Sequence, residues 1–349
     1  MMVTALQWLH GKPVASGAIK LTAEDFIVRE DLGFSPEGEG EHLMVYVRKK
    51  GCNTLFVADQ LARFVGISPR SVSYAGLNDR QAVTEQWFCL HLPGKEDPDF
   101  SQFSLAGCEI LLVKRQKRKL RIGSLKGNDF ELTIRHISDQ QAVETRLQQI
   151  RTFGVANYFG EQRFGRAGNN LVQAERWAKG EIEVKQRNKR SFYLSAVRSV
   201  IFNFIVSERM LNNKVRQVMD GDVMQLTGSG SWFVAKSEEL SQLQLRLQAG
   251  EIQITAPLYG EKELGTQSEA KLFEQQCLTY FSVLLPLLEA ERTNLVRRAI
   301  IVVPSNMHWK WLEQQTLKLS FSLPKGSFAT SVIRELINQS TENIIDISE

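Results

Sequence analysis

The chain has 349 residues, 43% hydrophobic and 23% charged, with a formal net charge of only +4, which suits two ordinary domains with separate cores and excludes fibrous and disordered classes. Its longest apolar stretches, such as residues 300–303, fall far short of the ~20 residues that span a bilayer, and no basic segment followed by an apolar one opens the chain. A cytoplasmic protein with no membrane partner is expected.

Taken in order, 26-FIVRED-31 and 42-HLMVYVR-48 alternate apolar and polar residues as one-sided strands do. Next, 53-NTLFVADQLARFVG-66 predicts a helix capped by Asn53, with Leu55, Ala58, Leu61, Ala62 and Val65 on its buried face. A strand-like 71-SVSYAG-76 leads through the polar turn 76-GLNDRQ-81 into another strand, 83-VTEQWFCLHL-92. The strand signal continues through 130-FELTIRHI-137 to a helix over residues 142–153.

Beyond Gly154 the sequence becomes helical, with buried-helix periodicity in 193-YLSAVRSVIFNFIVSERML-211 and again in 266-TQSEAKLFEQQCLTYF-281, while 227-TGSGSW-232 reads as a turn. The β signal returns in 316-TLKLSFSL-323, followed by the turn 324-PKGS-327 and a helix over residues 328–337. The pattern predicts one α+β domain built from residues 1–153 and 304–349, with residues 154–303 inserted as a mainly helical α+β domain.

The cysteines, Cys52, Cys89, Cys108 and Cys277, are widely separated, and so are the five histidines. No CxxC or HExxH spacing begins a metal site, so no metal is expected. Neither a GxxxxGK[ST] loop nor a GxGxxG turn is present, which removes nucleotide cofactors and argues against a cofactor-dependent methyltransferase. Residues 110–128 contain no acidic side chain and hold Lys114, Arg115, Lys117, Arg118, Lys119 and Arg121. Such a block attracts phosphates, although a basic run on its own is more often a solvated face.

The turn 76-GLNDRQ-81 sets Asp79 beside Arg80 between two strands, a place where an Asp usually bonds its own backbone. The wording around it says more. The run 75-AGLNDRQAVTEQ-86 resembles the signature of the TruD family of tRNA pseudouridine synthases: a Gly, an Asp followed by a basic residue, then Thr-x-Gln. Joining it in the family's order are 24-EDFIVRED-31, 157-NYFGEQRFGR-166, 187-RNKRSFYLSAVRS-199 and 326-GSFATSVIREL-336, so the resemblance spans essentially the whole chain. One departure is 77-LN-78, where a basic pair often precedes the Asp.

The resemblance implies a mixed antiparallel sheet flanked by helices, the pseudouridine synthase core in circularly permuted order, acting on uridine at position thirteen of tRNA without cofactor or metal, as a monomer. It places the catalytic nucleophile on Asp79. Groups near the target nucleotide fall on Phe26, Asn128 and Phe328, the basic partner of the Asp on Lys20, and the base-stacking aromatic on Phe130. An ionised carboxylate suits the oxocarbenium-like centre that forms when the glycosidic bond breaks, and a neighbouring cation, Lys20 or Arg80, keeps it ionised. A target inside an RNA stem has to be flipped out and gripped by stacking. In that setting the basic block faces the RNA backbone, extended by Arg163, Arg166, Arg187, Lys189 and Arg190. The competing reading is a non-catalytic RNA-binding or RNA-folding protein using the same surface.

Overall fold

The structure, a computed structural model, describes residues 5–76 and 82–339. It divides into two compact units, one of Pro13–Arg151, Pro304–Ala329 and Leu336–Glu349, the other of Met1–Lys12, Thr152–Val303 and Thr330–Glu335.

The first unit is organised on one large sheet. Its strands are β1 (Phe26–Asp31), β2 (His42–Lys50), β3 (Val72–Tyr74), β4 (Val83–His91), β5 (Cys108–Gln116), β6 (Gly127–Ile134), β7 (Ser305–Glu313) and β8 (Thr316–Pro324). They run in the order β7-β8-β6-β1-β4-β2-β5, with β3 also on β4. Only β1 and β4 pair in parallel; the other ladders are antiparallel.

One edge of β4 belongs wholly to β2. The other is shared: β1 takes residues 83–85 and β3 takes residues 88–90. This change of partner part-way along β4 leaves a gap that side chains fill.

Alternation explains the C-terminal return. Leu317, Leu319, Phe321 and Leu323 of β8 are at most 2% exposed, and β8 pairs with β6 along its length, so the chain rejoins the sheet after leaving it at Ile134 and returning at Ser305.

Helix α1 (Thr54–Phe64) is capped by the Asn53 side chain, which accepts from the Phe56 amide. It packs Val57, Ala58, Leu61 and Ala62 onto Leu43, Val45, Val47, Phe88 and Leu90. Leu55, expected on that face, is 60% exposed and Val57 occupies its place; Thr54, the first helical residue, turns inward instead to bond Gln86. Helix α2 (Gln140–Phe153) lies against the opposite end of the same sheet face, where Glu144 accepts from the indole nitrogens of Trp309 and Trp311. Helix α3 (Ala329–Leu336) follows β8.

The second unit pairs helices with a four-stranded antiparallel sheet in the order 232–234, 223–226, 252–258, 296–299. Its longest helix, Arg187–Leu211, begins earlier than the periodicity alone predicts. Two buried ion pairs sit in its core, Arg209 with Asp222 and Arg297 with Glu274.

Candidate active site

The entry to β1 is built by a turn that fixes a lysine. Asp25, 3% exposed, accepts from the Thr22 amide at 3.0 Å and from the Arg135 guanidinium at 2.9 and 3.1 Å. Ala18 and Arg135 exchange two backbone hydrogen bonds. Between these anchors Lys20 adopts φ 56°, a left-handed conformation that costs free energy for a residue with a Cβ and often marks a functional position. Its ammonium lies 4.3 Å from the centre of the Phe26 ring.

Register brings the other predicted groups together. Phe26, Val28 and Glu30 alternate onto one face of β1 and stand opposite Leu132, Phe130 and Asn128 of β6. Val28 also faces Thr84 of β4, while Phe130 and Asn128 face Phe321 and Leu323 of β8. Phe130 stacks on Phe321 at 5.3 Å and meets the Phe26 ring edge-on at 6.4 Å. Phe328 is half-buried just ahead of α3.

Two polar atoms on this face are buried without a hydrogen-bond partner, the amide oxygen of Asn128 and the hydroxyl of Thr84. Each costs about 1–3 kcal/mol in that condition. Buried polar groups are otherwise nearly always satisfied, so two such atoms on one face are apt acceptors for a ligand.

Asp79, Arg80 and the Leu77 and Asn78 that depart from the family pattern lie outside the described residues. Both flanks of that segment are firmly held. The Gln86 side chain is fully buried; its amide nitrogen donates to the Gly76 carbonyl at 2.7 Å, and its oxygen accepts from the Thr54 hydroxyl at 2.9 Å. In the gap between β1 and β3, the Trp87 amide donates to the buried Glu30 carboxylate at 2.9 Å. The Gly123 amide donates to the Ala75 carbonyl at 2.8 Å. Thr84, Gln86 and Glu30 escape residue-by-residue reading of the sequence; their signals were the Thr-x-Gln and EDFIVRED family segments, which read equally well as strand.

The basic block separates into distinct environments. Arg115 is structural: it bonds Asp97 at 2.6 Å and the carbonyls of Gly40, Leu92 and Lys95. Lys117 pairs with Glu39 at 2.6 Å, which raises its pKa and lowers that of Glu39. Lys114, Arg118, Lys119 and Arg121 are exposed.

In the second unit Arg166, Arg187 and Lys189 are exposed, whereas Arg190 is tied to Glu291 and lies over Trp177. Arg163 bonds Ser195 at 3.3 Å and lies over the Phe159 ring. The motif around it is fixed by packing: Asn203 bonds the Phe159 backbone in both directions, and Arg298 donates to Asn157. Burial, and secondarily the nearby Arg163, pulls the Arg298 guanidinium below its usual range.

Among the described residues no cluster of three or more His, Cys, Asp or Glu is placed to hold a metal, the four cysteines are free, and no helix is long and apolar enough to cross a membrane.

The profile of the family described as tRNA pseudouridine synthase D (TruD) matches residues 4–172 and 167–336, nearly the entire chain. This chain belongs to the TruD family. TruD proteins are pseudouridine synthases acting on tRNA, isomerases whose product has the same atoms as the substrate. A crystal structure from Methanosarcina mazei, of a protein given the provisional name tRNA pseudouridine synthase D (TruD), superimposes with a TM-score of 0.70 at 22% identity, covering 97% of this chain and 95% of that one. At that identity the match establishes the shared fold, a mixed sheet flanked by helices.

Proposed function

We propose that this TruD protein isomerises the uridine at position thirteen of tRNA, with Asp79 as the nucleophile. The observation that carries the reading is the convergence of Phe26, Phe130, Asn128 and Thr84 on one sheet face, with both flanks of residues 77–81 tied down beside it.

In this reading the ionised Asp79 carboxylate meets C1′ of the flipped nucleotide as the C1′–N1 bond breaks and the electron pair leaves with the uracil. The ring turns, C5 bonds C1′ as the Asp79 carboxylate leaves that carbon with its electron pair, the C5 hydrogen is lost as a proton and N1 gains one, so atoms balance without a redox step. Lys20 favours the charged carboxylate. Phe130, backed by Phe321, forms a rigid floor for the base, with Phe26 and Phe328 beside it. The Asn128 amide and the Thr84 hydroxyl supply hydrogen bonds to the base edge or ribose.

The unit holding the large sheet is the catalytic domain, in circularly permuted order, and residues 154–303 form the insertion. Lys114, Arg118, Lys119 and Arg121 contact the RNA backbone, joined by Arg166, Arg187 and Lys189. The enzyme works in the cytoplasm as a monomer. Mapping pseudouridine by carbodiimide adducts and primer extension, on tRNA incubated with the protein, tests the position: a stop at thirteen supports the reading, and modification only elsewhere contradicts it.

A further inference from the structure

The loop between β5 and β6 holds an apolar side chain where a soluble protein gains nothing from one. Ile122 is 82% exposed, the most exposed large hydrophobic residue described. Its neighbours Arg118, Lys119 and Arg121 are exposed cations. The loop carrying it is built rigidly. Leu120 and Leu125 bury their side chains at 3% and 8% exposure among Ala75, Trp87 and Cys89, clamping the loop on both sides of the tip.

Hydrogen bonds close the tip itself. Ser124 donates its hydroxyl to the Arg121 carbonyl at 2.6 Å and its amide to the same oxygen at 3.1 Å. The Lys325 ammonium donates to the Gly123 carbonyl at 3.2 Å. The Gly123 amide then bonds the Ala75 carbonyl, one residue before Gly76. A single exposed apolar residue is ordinarily without significance. Here it stands on a tip closed by hydrogen bonds, directly follows exposed Arg118, Lys119 and Arg121 in the chain, and is tied to the chain that leads into residues 77–81.

Taking a nucleotide out of a stacked helix costs a few kcal/mol and leaves a gap that water fills poorly, and nucleic-acid proteins commonly hold such a gap open with an apolar wedge, Ile among them. We propose that Ile122 is that wedge: it inserts into the RNA stem beside the target uridine and stabilises the flipped-out state, while its basic neighbours hold the flanking phosphates. The inference rests on the proposed uridine-flipping reaction but concerns the opening of the stem, a step separate from the chemistry at Asp79.

The test compares two transcripts with 5-tritiated uracil: the folded tRNA, and the same sequence with the strand facing the target changed so that the uridine and its neighbours are unpaired. Wild type, Ile122→Ala, Ile122→Leu and Asp79→Asn are assayed on both. Unstacking is followed separately by 2-aminopurine fluorescence beside the target. The expected result for Ile122→Ala is a fall of roughly tenfold or more in kcat on folded tRNA, with KM little changed and a nearly normal rate on the unpaired transcript. Ile122→Leu restores most of the loss. The fluorescence rise disappears in Ile122→Ala and survives in Asp79→Asn. An equal loss on both transcripts, no loss on folded tRNA, or an unaltered fluorescence rise overturns the wedge. Turnover retained by Asp79→Asn instead removes the proposed nucleophile, and the Ile122 comparison is still read on its own.

Discussion

Gln86 and Gly76 are joined by a hydrogen bond of 2.7 Å from a side chain with no exposure to solvent, and the same side chain accepts from Thr54 at the start of α1. The chain entering residues 77–81 is thereby referred to both β4 and α1. Gln86→Met keeps the bulk and removes both bonds. Losing the two bonds, to the Thr54 hydroxyl and the Gly76 carbonyl, destabilises the protein by about 1–3 kcal/mol, seen in the urea midpoint. If the bond also positions the segment, kcat falls while KM for tRNA holds; a lower midpoint with unchanged kcat assigns Gln86 to stability alone.

Thr84→Val separates function from stability in the opposite sense. The hydroxyl is buried without a partner, so removing it leaves folding unchanged or improves it by up to about 1–3 kcal/mol, as read from thermal unfolding. Turnover on tRNA falls if that hydroxyl meets the nucleotide. A destabilised variant with normal turnover would show that the hydroxyl serves the fold.

Much of this architecture could be read locally. The alternation of Leu317, Leu319, Phe321 and Leu323 specifies a one-sided strand, and Asn53 marks the start of α1, because each depends only on near neighbours in the chain. Leu55 and Val57 show the limit: both are apolar, and which one is buried depends on how the helix is rotated over β2 and β4. The role of Gln86 was out of reach for a similar reason, since it arises where β4 changes partner from β1 to β3. Arg115 lay in a run of cations, and nothing nearby announced that it would reach Asp97 and three carbonyls. The predicted site residues Phe26, Phe130 and Asn128 were named through family resemblance; periodicity would have left them as core and turn.

The buried Arg209–Asp222 pair supports the second unit. Both side chains are at most 1% exposed, and Arg209 also donates to the carbonyls of Lys214 and Gln217. Arg209→Met leaves a buried carboxylate without its counter-charge and lowers stability by about 3–5 kcal/mol. Chemical denaturation checks this; a change under about 1 kcal/mol would mean that the pair is nearly neutral to folding.

Alkaline stability follows from Cys277. Burial first, then the nearby Glu208 and Glu274, push its thiol up to about 12, whereas an unfolded thiol ionises near pH 8.5. A folded pKa above the unfolded one gives stability that is complete below the unfolded pKa and is lost as pH rises through the folded one. Between about pH 8.5 and 12 the loss approaches, at most, about 1.4 kcal/mol per pH unit. Urea midpoints measured across this window should fall less steeply for Cys277→Ala than for wild type. Parallel curves would assign the alkaline loss to other groups.

The central claim, that this TruD protein makes pseudouridine through Asp79, is tested most directly by tritium release from tRNA labelled at uracil C5, because rejoining through C5 expels that hydrogen. Wild type and Asp79→Asn are compared at equal tRNA occupancy, established by a binding assay. Release by wild type, with loss of release and retained binding in Asp79→Asn, is the predicted result; equal release by both proteins would contradict it.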